Sequence, residues 1–247
     1  MRLVTIVIAG ALALAGAALA ADAPIAPSDA ALARGEYLRA VDRAAKIGET
    51  RWAFTLAYKD ETEGAAKTYR LRFDPRLPKG ERWKISDPAA DQLSKDEKKE
   101  LKRLSRNDDA DGALVYDGLA ESADKAELIG LSETQAVFSI PVPGDRLPEK
   151  AKAAIAATVH FDRRAGIVAS IEVEAREPFK PAAIARIDRM RQIQRYAAVG
   201  PAGEALLVSS LSDTAGEAMM KSFSSKAQLA YSDFEKLDAP PRAQEKN

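Results

Sequence analysis

The stretch of sequence that decides the fold is RWAFTLAYKDETEGAAKTYRLRF, residues 51–73. Apolar side chains occupy alternate positions in both of its halves, which is the pattern of strands with one buried face. These side chains are Trp52, Phe54, Leu56 and Tyr58, followed by Tyr69, Leu71 and Phe73. Residues directly opposite in an antiparallel pair point to the same side, so pairing Tyr58 with Tyr69 and Phe54 with Phe73 keeps both apolar sets together. The stretch therefore predicts a β-hairpin with its loop at residues 61–66.

Residues 155–175 repeat this alternation and predict a second hairpin. Their apolar positions are Ile155, Ala157, Val159 and Phe161, then Ile167, Ala169, Ile171 and Val173. Pairing Phe161 with Ile167 keeps both sets on one face and leaves a short loop after Asp162. Gly166 suits the exit from that loop.

A helix is predicted ahead of the first hairpin. Ser28 or Asp29 can cap it, it runs to about Lys46, and Gly48 marks its end. Its apolar side contains Leu32, Leu38 and Val41.

The rest of the chain is predicted to be mostly strands. Ser94 followed by Glu97 is a capping-box pattern, which predicts a highly charged helix to about Ser105. Residues 182–199 fit a helix by their spacing of apolar residues, or a long bent strand by the prolines and glycines around them, and we favour the strand. Shorter elements are predicted as strands at about 82–86, 113–117, 124–131, 135–141, 205–211 and 217–234, and as one or two helical turns at 149–154.

Successive hairpins without crossover helices predict an α+β fold: a mostly antiparallel, strongly curved sheet (a half-barrel) of about eight to ten strands, with an N-terminal helix and a helical insertion.

The first twenty residues resemble a signal peptide. Arg2 provides a positive charge, residues 3–20 are almost entirely apolar, and the run ends in Ala18-Leu19-Ala20, the small-x-small pattern that signal peptidase recognises. An uncleaved membrane anchor is the alternative, because a run of this length can just span a bilayer. We expect cleavage, which gives a signal peptide at 1–20, a leader at 21–28, a single domain at 29–237 and a disordered tail at 238–247. The expected location is the bacterial periplasm.

Composition excludes several classes of function. The chain has 37 basic and 37 acidic residues. Because it has no excess of basic residues, its net charge does not indicate binding to nucleic acid. It has no cysteine, which excludes disulfides, thiolate metal sites and a lipid anchor on cysteine, and leaves no stable membrane anchor after cleavage. A single histidine makes most serine-hydrolase and multi-histidine metal sites implausible.

The order of elements resembles a known family. The phrases RLRFDP at 70–75, FDRRAGIVAS at 161–170 and YSDFEKL at 231–237, with the N-terminal helix and the run of long strands, look like the lipoprotein-localisation carriers (the LolA/LolB-like superfamily) of Gram-negative bacteria. The resemblance implies a curved half-barrel sheet closed by helices around an apolar cavity. This chain departs from the family pattern in its charged segment at 90–112 and in its many prolines. It transfers no functional residue.

Two polar clusters are candidates for chemistry. Asn107, Asp109 and Asp111 match the first half of a calcium loop, but the position for the bidentate glutamate is Gly118, so a polar turn is the better interpretation and no metal site is predicted. His160 is predicted on a polar strand face near Ser170 and Glu172, where it would need both as partners to act as a general base. We favour a surface histidine, with no catalytic residue and no cofactor, and keep a hydrolase using His160 as a remote alternative.

The aromatic first hairpin is the most informative candidate. If the sheet encloses a cavity, its apolar residues line a ligand site; if helices fill the concave side, they are core. The candidate ligand-lining residues are Trp52, Phe54, Leu56, Tyr58, Tyr69, Leu71, Phe73 and Trp83. The sequence thus favours a non-enzymatic periplasmic protein that binds a lipid or other apolar ligand. The alternative is a structural or protein-interaction module of the cell envelope with a packed core, an envelope protein as its partner and no ligand.

Overall fold

The computed structural model describes residues 25–62, 65–89, 91–95, 97–99, 109–142, 148–182 and 184–238. The predicted signal peptide and most of the predicted tail lie outside these residues, as does the end of the charged helix predicted from Ser94. Within them, no helix is both long enough and apolar enough to cross a membrane.

The chain begins with helix α1, Pro27–Gly48. Neither Ser28 nor Asp29 caps it: Ala26 is the N-cap residue, and Pro27 follows in the first turn, where a missing N–H costs nothing. Of the predicted apolar side, Val41 is buried and Leu38 packs against the core, whereas Leu32 is exposed. The buried side consists of Ala33, Tyr37, Ala40, Val41 and Ala44. Small residues dominate it, so the helix can approach the sheet closely.

The described residues form one open sheet of eleven strands, antiparallel throughout, with the spatial order β3-β2-β1-β11-β10-β9-β7-β6-β5-β4 and β8 paired beside β9. The strands are β1 Arg51–Thr62, β2 Ala65–Phe73, β3 Trp83–Asp87, β4 Glu127–Leu131, β5 Gln135–Ile140, β6 Ile155–Asp162, β7 Ile167–Ala175, β8 Phe179–Ala182, β9 Ala185–Ala198, β10 Ala205–Ala218 and β11 Lys221–Leu237. This confirms the predicted α+β class, with one strand more than expected.

The first hairpin forms as predicted. Tyr58 lies opposite Tyr69, and Phe54 lies opposite Phe73. The strands extend further than expected, to Thr62 and from Ala65, so the loop is shorter than the predicted 61–66.

The second hairpin forms with a different register. Phe161 pairs with Val168 and not with Ile167, which pairs with Asp162. A bulge after His160 then shifts the pairing so that His160 lies opposite Ser170. A bulge inserts an extra residue into one strand and bends it, which an alternation pattern alone does not reveal.

The segment between β3 and β4 differs most from the prediction. Residues 113–117 are not a strand. They belong to a series of short 3-10 turns, Ala110–Leu114, Asp117–Glu121 and Ala123–Lys125, which we call the 3-10 segment. The capping box is present before it: Ser94 N–H donates to Glu97 (2.9 Å), and Glu97 N–H donates to Ser94 Oγ (3.3 Å). Helix α2 is Glu149–Ala153, close to its predicted position.

Residues 182–199 contain the long strand that we favoured, β9. It pairs with β10 along almost its whole length, and two bulges interrupt this pairing. At the second bulge, a Cβ atom on Gly216 would lie 2.1 Å from the Arg186 carbonyl oxygen, so only glycine fits.

One hydrophobic cluster joins α1, the 3-10 segment and both halves of the sheet. Tyr37 of α1 stacks on Phe138 of β5 with 4.6 Å between ring centroids. Near the opposite edge of the sheet, the rings of Phe54 and Phe73 belong to the same cluster, with 5.2 Å between their centroids. Helix and 3-10 segment thus lie on one face of the sheet, and the space between them and the central strands defines the site described next.

Candidate functional site

A cleft of about 600 Å³ lies between the 3-10 segment and the central strands β7, β9 and β10. Its lining residues are Gly112, Ala113, Val115, Tyr116, Gly118, Leu119, Ser122, Ile140, Ile171, Val173, Gln192, Gln194, Tyr196, Ser210, Leu211 and Ser212. None of them carries a charge. This volume is in the range of small-molecule sites in proteins.

The floor of the cleft is polar but neutral. Gln194 lies opposite Ser210, and Gln192 lies opposite Ser212, so the four side chains share one face of the β9–β10 pair. Amide and hydroxyl groups both donate and accept hydrogen bonds. The floor can therefore bind an uncharged polar group, such as an ester carbonyl or a hydroxyl.

The sides of the cleft are apolar. Ile171 and Val173 of β7 lie next to the floor, since they pair with Gln194 and Gln192 respectively. Leu119 of the 3-10 segment faces the cleft from the other side. An apolar wall beside a neutral polar floor suits an amphiphile whose chain is buried and whose head is uncharged.

Two tyrosines connect the 3-10 segment to the sheet. The rings of Tyr116 and Tyr196 meet edge to face with centroids 5.0 Å apart. Val168 N–H donates to the Tyr116 hydroxyl (3.4 Å), and the Tyr196 hydroxyl donates to Gln194 Oε1 (3.3 Å). Burial raises the pKa of Tyr116, so its hydroxyl stays neutral at physiological pH. These contacts position the Gln194 amide at the floor.

A buried ion pair fixes the start of the 3-10 segment. Asp111 is fully buried, and its Oδ2 accepts hydrogen bonds from Arg51 Nε (2.8 Å) and Trp52 N–H (3.1 Å). Asp109 lies within 3.4 Å of Arg51 and 3.3 Å of Arg82. The two aspartates of the predicted polar turn thus hold the 3-10 segment against β1. Among the described residues, no group of three or more acidic or histidine side chains could hold a metal ion.

His160 lies away from the cleft. It lies directly opposite Ser170 in the β6–β7 pair, whereas we expected a diagonal position. Both residues are on the face of the sheet away from the cleft. Its Nδ1 lies 3.4 Å from the Gln135 side-chain amide. The side chain is half-buried, and its role as a surface histidine without a catalytic function stays a prediction.

The eight candidate ligand-lining residues do not line this cleft. Phe54 packs against Trp83 (5.7 Å between centroids) and Phe73, and Tyr69 stacks on Tyr58 at 6.0 Å. Of the others, Trp52, Leu56 and Leu71 are also buried. Tyr58 also lines a separate, smaller groove of about 400 Å³. The role of the eight residues in binding stays a prediction.

Sequence reasoning missed the floor. Gln192, Gln194 and Ser210 lie in predicted strands and Ser212 directly follows one, but none of the four is among the candidate residues. The available signal was a pair of adjacent strands with neutral polar residues at alternate positions, in a chain where 30% of residues are charged. Solvent-facing strand positions elsewhere, such as Arg70 and Arg72, carry charge.

Comparison with known proteins gives a likeness of fold. No protein-family model and no curated protein matches the chain. Among solved structures, a LolA superfamily protein from Nitrosomonas europaea is 14% identical, with 81% of this chain and 94% of that chain covered and a TM-score of 0.39. MucB, solved in complex with MucA(peri), is 11% identical, with 81% and 99% covered and a TM-score of 0.21. The first of these belongs to the superfamily that the sequence resembles.

Proposed function

We propose that this chain is a non-enzymatic periplasmic protein that binds a lipid or another apolar ligand in the cleft beneath the 3-10 segment. The observation that carries the proposal is the cleft itself, with its uncharged lining, neutral polar floor and apolar sides. A ligand with an acyl chain and an uncharged polar group matches both surfaces. Export is supported by the signal-peptide pattern of residues 1–20.

The lining also favours binding over catalysis. Its side chains provide amides, hydroxyls and hydrocarbon, without a carboxylate, a histidine or a basic group. General acid–base chemistry requires a titratable group within reach of the substrate, and none of these residues titrates near neutral pH.

The first test is extraction of the purified protein under denaturing conditions, followed by mass spectrometry of the released lipids. A second sample is titrated with a fluorescent acyl probe. We expect a co-purified lipid or saturable probe uptake. Absence of both would refute the proposal.

A pair of matched variants locates the binding. Ser210→Phe places a ring in the cleft, whereas Ser170→Phe makes the same change on the opposite face of the sheet. We expect Ser210→Phe to weaken probe binding at least about tenfold and Ser170→Phe to leave it within about twofold. Equal affinities would exclude the cleft as the site.

The second candidate is an envelope interaction module with a packed core. It is favoured by the dense packing of the first hairpin, where Phe54 meets Phe73, Trp83 and Tyr231 at centroid distances of 5.2 to 5.7 Å. This candidate predicts no lipid and no probe uptake, together with a protein partner trapped by crosslinking in cells.

A further inference from the structure

The turn between β10 and β11 exposes two methionines. Ala218 pairs with Lys221, so Met219 and Met220 form a two-residue loop. Their side chains are 70% and 92% exposed. Exposed apolar side chains at such a position bury nothing within the chain.

Both methionines also adopt an unfavourable backbone conformation. Met219 has φ of 51° and Met220 has φ of 62°. Two-residue hairpin loops with both central φ values positive are ordinarily built from Asn and Gly, which tolerate this region. Methionine at both positions destabilises the turn without any packing gain. Folding therefore gives no reason for this dipeptide, which points to a role in binding.

A third exposed apolar residue lies beside the turn. Ile184, in the turn directly before the neighbouring strand β9, is 62% exposed. Met219 N–H donates to the Ile184 carbonyl oxygen at 3.0 Å, which holds the two turns side by side. We call Ile184, Met219 and Met220 the apolar tip.

The apolar tip lies at one end of the sheet, beyond the residues where β1 and β7 are paired. Strand β1 pairs with β11 only from Ala227 onward, and β7 pairs with β9 only from Arg191 onward. The ends of β10 and β11 nearest the tip therefore extend past β1, while β9 extends past β7 and is flanked there only by the short strand β8, whose Ala182 pairs with Ala185. A projecting end can approach a surface that the body of the protein does not touch.

Basic residues surround the apolar tip. Lys180 and Arg186 line the same shallow groove as Ile184 and the methionines, and Lys221 directly follows Met220. Arg186 is paired with Asp188 at 2.8 Å, whereas Lys180 and Lys221 take part in no ion pair among the described residues. With Glu217 as the acidic residue of this groove, the surroundings carry a net positive charge.

We propose that the apolar tip inserts into the interface of a lipid bilayer that contains anionic phospholipids. Its three apolar side chains enter the headgroup region, and the lysines contact the phosphates. A protein partner fits less well, since a stable interface buries about 800 Å² on each side and the tip presents only a narrow end. The tip shares no residue with the cleft, so this inference stands apart from the proposed function.

Vesicle sedimentation tests the proposal, with phosphatidylcholine vesicles containing phosphatidylglycerol and with pure phosphatidylcholine vesicles. All proteins carry the same N-terminus, so any contribution from residues 1–20 is equal. The first variant, Met219→Asn with Met220→Gly, restores the favoured turn residues and should melt no lower than wild type. The second, Lys180→Gln with Lys221→Gln, keeps the apolar tip. The control is Ile129→Ser, which removes a 58% exposed side chain from the edge strand β4.

We expect wild type to bind the anionic vesicles more tightly than the neutral ones. The turn variant should lose at least about tenfold in affinity, and the lysine variant should lose its preference for anionic vesicles. Ile129→Ser should bind like wild type. The proposal is overturned if wild type does not sediment with anionic vesicles, if the turn variant stays within about twofold of wild type, or if Ile129→Ser loses as much as the turn variant.

Discussion

The buried ion pair between Asp111 and Arg51 gives the sharpest prediction about stability. Asp111 Oδ2 accepts hydrogen bonds from both Arg51 Nε and Trp52 N–H. Asp111→Asn keeps the size of the side chain but removes the charge that strengthens both bonds. Charge-assisted hydrogen bonds contribute about 1.5–3 kcal/mol each, and losing one partner of a buried pair costs about 3–5 kcal/mol. An amide oxygen can still accept, and Asp109 remains 3.4 Å from Arg51, so we expect a loss of about 2 kcal/mol.

The assay is urea unfolding followed by circular dichroism, with the free energy of unfolding obtained from midpoint and slope. The matched control is Asp213→Asn, which breaks the ion pair of Asp213 with Arg189 (3.0 Å) on the sheet surface and should cost less than about 1 kcal/mol. The double variant Arg51→Met with Asp111→Leu should lose less than the sum of its single changes. If Asp111→Asn falls within about 0.5 kcal/mol of wild type, the ion pair does not fix the 3-10 segment.

Two further predictions concern the backbone and the tyrosines. Gly216→Ala should destabilise the protein by about 2 kcal/mol or more, because the new Cβ would meet the Arg186 carbonyl oxygen, whereas Gly118→Ala, with no atom within 4 Å, should cost under about 1 kcal/mol in the same unfolding assay. Similar losses for both would contradict the close approach of β9 and β10. Burial raises the pKa of Tyr37 and of Tyr231 to about 12, above the usual 10, so their neutral forms stabilise the fold fully below pH 10 and this contribution is lost as the pH rises towards 12. An absorbance titration of the tyrosinate band should show that part of the tyrosine of the wild type ionises only towards pH 12, and that this part is smaller in Tyr231→Phe. The same titration curve for both proteins would contradict the raised pKa of Tyr231.

The sequence predicts the register of the first hairpin because its apolar alternation has only one favourable pairing. A shift of one position would turn Phe54 and Phe73 to opposite faces, at the cost of exposing one of them. The same reasoning fails for the second hairpin. There the bulge after His160 places Val168, and not Ile167, opposite Phe161, while Ile171 and Val173 keep the face that the alternation assigns to them. Regular alternation has no place for such an interruption, so the pattern does not predict it.

Part of the 3-10 segment, residues 113–117, is predicted as a short strand, whereas the structure places these residues in and between 3-10 turns. Its conformation depends on contacts across the fold: Asp111 reaches Arg51 and Trp52, some sixty residues earlier in the chain, and Tyr116 reaches Tyr196. Local propensity does not report such long-range contacts. The cleft depends on where this segment packs, so the neutral polar alternation of β9 and β10 marks an unusual strand face without revealing that a cleft lies over it.

The central claim is that a ligand binds between the 3-10 segment and the β9–β10 floor. Crystallisation with a fatty acid brominated at the end of its chain tests it directly, since anomalous scattering locates the bromine atom. The account predicts a bromine peak in the cleft, beside Ile171 or Leu119, with the polar group of the ligand near Gln194. A peak within the aromatic side chains of the first hairpin, or a cleft without ligand at saturating concentration, would contradict it.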